Sequence, residues 1–408
     1  MAEKNGELPK GWKRVKLGDV CKATSNKDPR NNTEQQFYYV DITSVNNVSK
    51  RIVEPKLLFG KDAPSRARQL IFANDVVLST TRPNLNAVAL VPSELDNQIC
   101  STGFCVLRSE SSLVDANYLF VFTQSVEFVN NLSNLVKGAL YPAVTDKQVK
   151  DQLIPLPPLP EQKRIVAILN EQMATVEKAR AAAEAQLQAA KTLPAAYLRE
   201  VFDSPEAQKW KRKPLGEFVI SYRNGLGRRP SGIEKGYIVL RIADVSSGVI
   251  NIDSPRYIEM SENEIQTYSL IEDDVIFIRV NGSSHLVGRC IIVDTYSEKL
   301  SFNDHLIRVR LKDGLNPKYL KLVCETSIVR NVIEEKASTS AGQLTINQDI
   351  LSGLQIPFPS INEQRQIIIE LEEKMLAGQQ LQRSLQAQLN TIKQLPAALL
   401  RQAFNGEL

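Results

Sequence analysis

The sequence is poor in the residues from which metal centres, disulfide frameworks and acid–base sites are built. It contains two histidines in 408 residues, and its five cysteines lack the CxxC spacing of zinc and redox sites. We therefore interpret the cysteines as small buried hydrophobic residues. Neither His285 nor His305 belongs to a cluster with metal-ligand spacing, and we interpret His305 as structural.

Long apolar runs are also missing. No stretch of about 18 apolar residues occurs, and the amino terminus lacks the continuous apolar core of a signal peptide. With 43% apolar and 24% charged residues, a chain of 408 residues can form two globular units plus additional helix. We expect a soluble, cytoplasmic protein with no membrane partner. Its net charge of +4 permits a polyanionic partner without identifying one.

The motifs of nucleotide-dependent and methyl-transferring enzymes are absent from the sequence. There is no GxxxxGK[ST] loop, no glycine-rich fingerprint after a strand and no Asn-Pro-Pro-Tyr-like tetrad. The triplet Glu-Glu-Lys occurs at 334–336 and 372–374, but such triplets are common by chance and both lie in predicted helices. We therefore expect no catalytic site, cofactor or metal in this chain.

What the sequence does contain is a tandem repeat with an offset of 198 to 202 residues. "WKRVKLGDV" from Trp12 is matched by "WKRKPLGEF" from Trp210, and "IPLPPLPEQ" from Ile154 by "IPFPSINEQ" from Ile356. Residues 161–202 and 363–404 are identical at 17 of 42 positions, whereas the stretches before each "IP" share only scattered anchors. Two constant parts therefore alternate with two variable parts, and each half should fold to the same plan.

The constant parts are predicted to be long helices. The first, from Glu161, has high helix propensity over about 33 residues without Gly or Pro, and the second begins at a capping box from Ser360 to Glu363. Alternating steps of four and three residues define a seam of coiled-coil type in each helix. The seam positions are Leu169, Met173, Val176, Arg180, Ala183, Leu187 and Ala190, and Leu371, Met375, Gly378, Gln382, Leu385, Leu389 and Ile392.

We expect the two helices to form an antiparallel coiled coil, because neither has a wide apolar face to bury elsewhere. Arg180 and Gln382 would then meet near a pseudo-twofold axis as a polar layer that fixes the register. Such a pair would be a spacer roughly 50 Å long, comparable to about 15 base pairs. The alternative is that each helix packs only along its own globular domain.

Both helices end in a shared "LPAAxLRxxF" segment, where Pro194 and Pro396 are predicted to kink or restart the helix. The apolar residues of these tails either cap the coiled coil or dock a partner protein, and the sequence favours neither role. They are Leu198, Val201 and Phe202, and Leu400, Ala403 and Phe404.

The variable parts are typical of mixed domains rich in strands. Runs such as "DVVLST", "GFCVLR" and "DVIFIRV" are separated by Asn, Gly, Pro and Ser turns, and helical stretches close each part. We predict an α+β fold in which two similar globular mixed α/β domains are separated by two long helices, as a pseudo-twofold tandem repeat. The predicted boundaries are 1–155 and 204–357 for the domains, and 156–203 and 358–408 for the helical spacers.

Polar loops follow equivalent strands of the two variable parts. Arg pairs with guanine, Asn with adenine, and Ser or Thr with phosphate or base edges, so both loops have residue types suited to reading DNA. The loop candidates are Thr80, Thr81, Arg82, Asn84 and Asn86 in the first part, and Arg279, Asn281, Ser283, Ser284, His285 and Arg289 in the second. Further candidates for phosphate contact, each with a solvated surface position as the alternative, are Lys50, Arg51, Lys61, Arg66, Arg68, Arg223, Arg228 and Arg229.

The order of these segments resembles the specificity subunit of type I restriction-modification systems. The resemblance covers essentially the whole chain and is carried by the "WKR" and "LG" residues before each variable part, by "IPxPxxxEQ" and by "LPAAxLRxxF". It implies that the variable parts are target recognition domains, each reading one half of a split DNA site. It also implies that the constant helices form an antiparallel coiled coil that fixes the separation of these domains.

The same resemblance implies three kinds of partner: double-stranded DNA with a bipartite target, two modification (methyltransferase) subunits, and restriction subunits in the larger enzyme. The methyl donor and nucleotide would bind to these partner subunits, so this chain would be non-catalytic and without a cofactor. Two other classes stay open. One is an enzyme with an unrecognised nuclease or methyltransferase site, and the other is a two-domain protein-binding adaptor.

Overall fold

A computed structural model describes residues 8–136, 142–229, 235–296, 298–340 and 342–408. The chain divides into two compact units. The first unit comprises Met1–Glu184 and Ala387–Leu408, and the second comprises Ala185–Gln386.

The α-helices are α1 (Ala116–Phe122), α2 (Val126–Asn134), α3 (Asp146–Lys150), α4 (Leu159–Phe202), α5 (Ile242–Val245), α6 (Glu262–Tyr268), α7 (Pro317–Cys324), α8 (Ser327–Lys336), α9 (Gln348–Ser352) and α10 (Ile361–Asn405). The two long helices are thus α4, with 44 residues, and α10, with 45. Both begin within two residues of the predicted start and extend through the tail segments.

The strands of the first unit are β1 (Lys13–Lys16), β2 (Cys21–Lys22), β3 (Gln36–Val40), β4 (Val45–Asn46), β5 (Arg51–Ile52), β6 (Lys56–Phe59), β7 (Ala67–Ile71), β8 (Val76–Ser79), β9 (Val88–Leu90), β10 (Gln98–Ser101), β11 (Phe104–Ser109) and β12 (Leu153–Leu156). Their sheets have the orders β6-β3-β10-β7, β2-β11-β8-β9, β1-β12 and β4-β5. The β3 and β10 strands pair in parallel.

The strands of the second unit are β13 (Lys211–Pro214), β14 (Val219–Asn224), β15 (Tyr237–Leu240), β16 (Tyr257–Ile258), β17 (Val275–Ile278), β18 (Val280–Asn281), β19 (Cys290–Ile292), β20 (Leu300–Phe302), β21 (Leu306–Leu311), β22 (Ser338–Ser340), β23 (Gln343–Thr345) and β24 (Gln355–Phe358). Their sheets have the orders β14-β21-β17-β19, β16-β15-β20, β13-β24 and β18-β23-β22. The parallel pair is β15 with β20.

The two units repeat one plan. In each, the "WKR" strand pairs antiparallel with the "IP" strand, as β1 with β12 and as β13 with β24. In each, a wholly buried apolar strand, β8 or β17, lies inside a four-stranded sheet. The predicted α+β fold with two similar domains is therefore confirmed.

In the first unit, the start of α4 packs beside the end of α10. Ile165 and Leu169 of α4 share one buried core with Leu400 and Phe404 of α10. Phe404 also makes an edge contact with the Tyr118 ring, with centroids 5.4 Å apart. The carboxyl-terminal tail is thus part of the core of the first unit.

In the second unit, the end of α4 packs beside the start of α10. Leu198 and Phe202 of α4 share a buried core with Ile367 and Leu371 of α10. Within each unit one helix start meets the other helix end, so the predicted antiparallel pairing of the long helices is confirmed. The tail residues Leu198, Phe202, Leu400, Ala403 and Phe404 are buried in these cores, and Val201 is half-buried.

The predicted restart at the two prolines is wrong, since α4 continues past Pro194 and α10 past Pro396. A proline removes one backbone donor and crowds the preceding turn. Ala190 and Leu198 on either side of Pro194 are buried, and so is Leu400 after Pro396. Tertiary packing of these flanking residues keeps both helices continuous although each proline removes one backbone hydrogen bond.

The seam positions are the least exposed stripe of the long helices. Buried seam residues are Leu169, Ala183, Leu187, Ala190, Leu371, Leu385 and Leu389; half-buried ones are Met173, Val176, Arg180, Met375, Gln382 and Ile392. Arg180 pairs within its own helix, with Nε 3.0 Å from Glu177 Oε2. Gln382 Nε2 donates to the Ala190 carbonyl at 2.9 Å. Gln382 therefore lies against Ala190, ten residues beyond Arg180 in α4, and Arg180 pairs within its own helix. The prediction that the two residues meet as one polar layer is wrong.

The glutamine of each repeated "EQ" pair is wholly buried. Gln162 Oε1 accepts from the Asp115 N–H at 2.8 Å, and Nε2 donates to the carbonyls of Leu113 (3.0 Å) and Pro157 (2.8 Å). Gln364 makes the three equivalent hydrogen bonds at 2.9, 3.0 and 3.1 Å. The repeated phrase thus encodes a junction that joins the long helix to the strand and loop before it.

We expect Gln162→Leu to lower the free energy of unfolding of the first unit by about 2–4 kcal/mol, because one buried N–H and two buried carbonyls lose their partner. The chain has two tryptophans, and Trp12 packs on the core of the first unit. In a Trp210→Phe background, urea unfolding followed by fluorescence therefore reports the first unit alone. Asn170→Leu, at an exposed position of α4, is the control. Equal losses for both variants would contradict the expectation.

Candidate nucleic-acid interface

The two polar loops leave the buried strands β8 and β17 at equivalent ends. Backbone hydrogen bonds close each loop: the Ser79 N–H donates to the Ala87 carbonyl at 2.8 Å, and the Ile278 N–H to the Arg289 carbonyl at 2.9 Å. We call residues 80–86 the first loop and 279–288 the second loop. Both are therefore presented by rigid strands, as binding loops commonly are.

The first loop is held in an unusual backbone conformation. Arg82 and Asn86 bracket the 3-10 turn Pro83–Leu85 and have φ values of 50° and 45°. Left-handed conformations cost energy for residues other than glycine and cluster at functional sites. The Arg82 N–H donates to the Pro142 carbonyl at 2.7 Å, which fixes the turn.

The candidates of the first loop divide into exposed and internal side chains. Arg82 and Asn84 are exposed. Thr80 is buried and its Oγ1 donates to the Gly103 carbonyl at 2.9 Å, while Thr81 forms an antiparallel bridge with Ala143. Of the candidates in this loop, all of which the structure describes, Arg82 and Asn84 are therefore the two that a ligand can reach without rearrangement.

The second loop turns tightly before it rejoins the sheet. Gly288 has a φ of 74°, and a Cβ there would lie 2.6 Å from the Ile333 side chain, so this position requires glycine. The Ser283 N–H donates to Asn281 Oδ1 at 2.9 Å, and Ser283 Oγ lies 2.6 Å from His285 Nδ1. Local hydrogen bonds thus order the loop, and His285 is exposed.

Arg330 of α8, which sequence reasoning missed, also holds the second loop. Its Nη1 donates to the Val287 carbonyl and its Nη2 to the Ser284 carbonyl, both at 2.8 Å. The Ser284 side chain stays exposed. No local pattern could have indicated this contact, because 43 to 46 residues separate the partners.

Arg279, the first residue of the second loop, and Arg289, the residue directly after the loop, are directed into the protein. Arg279 Nη1 donates to the Asp304 carbonyl at 3.0 Å, and Arg289 Nη2 lies 3.5 Å from Glu325 Oε2. Their half-buried positions favour a role in holding the loop over a direct contact with DNA.

The basic candidates outside the loops also separate into two groups. Arg228 forms an ion pair with Glu264 at 2.9 Å, and Arg68 Nη1 lies 3.3 Å from Asp28 Oδ1. Arg51, Arg66, Arg223 and Arg229 are exposed, as is the paired Arg228. An exposed guanidinium group that is not held in an ion pair loses less hydration when it meets a phosphate, so Arg51, Arg66, Arg223 and Arg229 are better placed than Arg68 and Arg228.

A hairpin that sequence reasoning missed lies beside the second loop. The β22 and β23 strands form it, and β18, which contains Asn281, pairs antiparallel with β23. The hairpin sequence from Ser338 to Thr345 is polar, and Gln343 is exposed. Its sequence signal was Gly342, whose φ of 76° is a conformation that favours glycine.

Two kinds of feature are absent from the part of the chain that the structure describes. Among residues 8–136, 142–229, 235–296, 298–340 and 342–408, no three His, Cys, Asp or Glu side chains lie close enough to hold a metal ion. Within the same ranges, no helix is both long and apolar enough to cross a membrane. Burial raises the pKa of the Cys21 thiol to about 11, so this half-buried cysteine stays protonated at neutral pH.

Comparison with protein families identifies two matching segments. Residues 9–186 and 208–390 each match the type I restriction modification DNA specificity domain. The chain is 28% identical to the type I restriction enzyme StySPI specificity subunit of Salmonella potsdam, over 99% of this chain and 90% of that one. It is 26% identical, with the same coverages, to the EcoKI specificity subunit of Escherichia coli K12.

Solved structures agree with this match. The crystal structure of the HsdS subunit from Thermoanaerobacter tengcongensis superposes with a TM-score of 0.76 at 32% identity, over the whole of both chains. A chain from a structure describing assembly and conformational transition of the type I R-M system has a TM-score of 0.81 at 32% identity, covering 98% of this chain and 100% of that one.

Proposed function

The chain belongs to the type I restriction-modification DNA specificity family, and we propose that it selects the DNA sequence on which such a system acts. Each unit would read one half of a bipartite double-stranded target. The paired long helices would fix the gap between the halves. Recognition by two similar domains joined by a spacer is the simplest way to obtain a split target.

The observation that carries this proposal is that both units present a polar loop at the end of a buried strand. A buried strand, β8 or β17, delivers a polar loop that backbone hydrogen bonds close on the sheet. The two loops differ in sequence although the strands and junctions around them match. This is the pattern expected if the scaffold is constant and the loops carry the specificity.

We propose that bases are read chiefly by the exposed polar side chains of the loops, and that exposed arginines contact phosphates. In the first unit the base-reading pair is Arg82 and Asn84, whose groups suit guanine and adenine edges. In the second unit it is Ser284 and His285. Phosphate contacts would come from residues that lie outside the loops, namely Arg51, Arg66, Arg223 and Arg229.

The chain is proposed to act without chemistry of its own. Two modification (methyltransferase) subunits would dock on the scaffold and provide the methyl donor site, and restriction subunits would provide the nucleotide and nuclease sites. The matched relatives are a specificity subunit of a type I restriction enzyme and a chain of a type I R-M system, which supports this division of labour. The chain's own contribution would be binding energy and register.

The test is sequence-resolved methylation of DNA in cells that express this chain together with its modification subunit. We expect methylation at a split motif, two short defined halves around a fixed unspecified gap, in the presence of this chain only. Replacing Arg82 and Asn84 together by Ala should relax one half of the motif and leave the other unchanged, because the two units read independently.

Three other outcomes would point elsewhere. A complex that forms with active modification subunits but gives no chain-dependent motif would support the adaptor interpretation. Methyl transfer by the purified chain alone would support an enzyme. Relaxation of both halves by the first-loop substitutions would contradict the assignment of one half to each unit.

A further inference from the structure

The first unit has a second exposed element beside the first loop, the hairpin β4–β5. Asn46 Oδ1 accepts hydrogen bonds from the backbone N–H groups of Val48 and Ser49, both at 2.9 Å. The Lys50 N–H donates to the Asn46 carbonyl, also at 2.9 Å. The turn therefore follows one defined backbone path.

The base of the hairpin is anchored next to the segment that leaves the first loop. Val45 is buried and Ile52 is half-buried, and both belong to a core that contains Ala87 and Ala89. The β5 strand also packs beside β9. Hairpin and loop are consequently fixed to the same part of the fold.

A lysine ties the two elements together. Lys50 Nζ donates to the Asn86 carbonyl at 2.6 Å, and both residues have left-handed backbones, with φ values of 54° and 45°. Burial lowers the pKa of the Lys50 ammonium group. Lys50 is thus directed at the backbone of the first loop. A lysine that contacts phosphate would instead extend into solvent.

The tip of the hairpin exposes an apolar side chain among polar ones. Val48 is 84% exposed and Leu85, in the first loop, is 48% exposed. Asn47 precedes Val48 in the turn, and Arg82 and Asn84 precede Leu85; all three are exposed. A single exposed valine is ordinary by itself, so a second observation is needed.

The second unit provides it, because its equivalent turn also exposes a valine. "DITSV" at 41–45 corresponds to "RIADV" at 241–245, and Val45 and Val245 are both buried. Val249, in the turn that follows α5, is 63% exposed; it lies four residues after Val245, whereas Val48 lies three residues after Val45. Lys321 of α7 fixes this turn, since its Nζ donates at 3.0 Å to the Gly248 carbonyl.

We infer that the hairpin β4–β5 is a second base-contacting element of the first unit, in which Val48 meets the methyl edge of a thymine and Lys50 positions the first loop. The inference rests on the proposed function and deepens it. A two-stranded ribbon fits the major groove, where the thymine methyl lies among donors and acceptors that suit Asn and Arg. A protein-docking surface would instead present a contiguous apolar patch of several hundred Å², whereas Val48 lies between Asn47 and Ser49.

The first test is Val48→Ala in the complex of the full chain with its modification subunits, acting on DNA duplexes with the motif found in cells. We expect the methylation rate on the best duplex to fall roughly four- to tenfold, because two methyl groups leave an apolar contact. The preference for thymine at one position of one half should weaken. Val249→Ala should act on the other half, and Leu153→Ala, exposed in β12, on neither.

The second test separates positioning from folding. Lys50→Met keeps most of the side-chain stem but removes the hydrogen bond to Asn86. We expect relaxed preference at several positions of the same half, with the other half and the gap unchanged. Lys50→Arg, which retains a donor, should restore the preference in large part. A uniform loss of methylation that Lys50→Arg does not rescue would reduce Lys50 to a structural residue.

The outcomes distinguish the two levels of proposal. If the unsubstituted chain directs no split motif, the proposed function is wrong. If it does, and Val48→Ala and Lys50→Met both retain the full motif and rate, the function stands and the role of the hairpin is overturned. Val48 is exposed, so its variant is expected to fold; Trp12 fluorescence in the Trp210→Phe background verifies this.

Discussion

Duplicating residues 178–184 in α4 together with 380–386 in α10 is expected to lengthen the gap in the DNA target without changing either half. Each duplicated segment is one heptad, so the seam stays in phase on both helices. Seven helical residues add about 10 Å, which corresponds to at most about three base pairs. The base-reading loops lie outside the duplicated segments, so the bases they select should be unaffected.

The measurement is again sequence-resolved methylation, which reads halves and gap in one experiment. The matched control exchanges 178–184 with 380–386 and leaves both helices at their original length. Here the gap should not change. A duplicated chain that methylates the original motif with the original gap would remove the spacer role from the helices, whereas loss of one half would show that the heptads also support base reading.

The architecture was predictable because its determinants repeat in the sequence. The "EQ" glutamines, the apolar seam and the "WKR" and "IP" strands each appear twice, and in each unit the "WKR" strand pairs with the "IP" strand and the glutamine makes the same three hydrogen bonds. Gln162 bonds groups within 5 to 49 residues in the chain. The predicted helix restart at the prolines was wrong because helix propensity describes an isolated helix. In the folded chain, packing of the residues on both sides of Pro194 keeps the helix continuous.

The site was only partly predictable, because sequence shows residue types and not their partners. The positions of both loops followed from the strands before them. That Arg228 is paired with Glu264, or Arg289 with Glu325, depends on residues 36 positions distant in each case. The tie between Lys50 and Asn86 spans the same separation. An arginine free to meet a phosphate and one neutralised by a carboxylate look alike until the fold brings the acid to it.

The second large effect is expected at Asp274, a residue 1% exposed at the start of β17. Arg310 binds it through two hydrogen bonds of 2.8 Å, and Asp274 Oδ2 also accepts from the Ile271 N–H at 3.0 Å. Asp274→Asn should lower the free energy of unfolding of the second unit by about 3–5 kcal/mol, because the half-buried guanidinium group of Arg310 loses a buried charge partner. Urea unfolding in a Trp12→Phe background reports this unit through Trp210, which packs on its core.

The matched comparison is Asp75→Asn in the first unit, where Arg108 binds Asp75 at 2.9 and 2.8 Å. The surroundings of the two pairs differ: the second unit has Arg308 where the first has Val106. It also has Ile271 where the first has Phe72, whose ring centroid lies 4.4 Å from the guanidinium carbon of Arg108. Arg308 is 4% exposed, and burial followed by the charge of Arg310 lowers its pKa. The charge of Asp274 acts in the opposite direction and raises the pKa of Arg308, while Asp274 is hydrogen-bonded to Arg310. Its loss should therefore cost more than the loss of Asp75.

We expect the effects of substituting Arg308 and Asp274 on the free energy of unfolding to be coupled. Arg308→Val, the residue type of the first unit, should be destabilising alone because the Ser269 carbonyl loses its 2.9 Å donor. In the Asp274→Asn background it should cost less, since it also removes one of two cations that then lack an anion. A double-mutant cycle should give a coupling of about 1–2 kcal/mol. Additive losses of unfolding free energy would mean that Asp274 does not stabilise the charge of Arg308. Arg308 could then not explain why Asp274→Asn is more destabilising than Asp75→Asn.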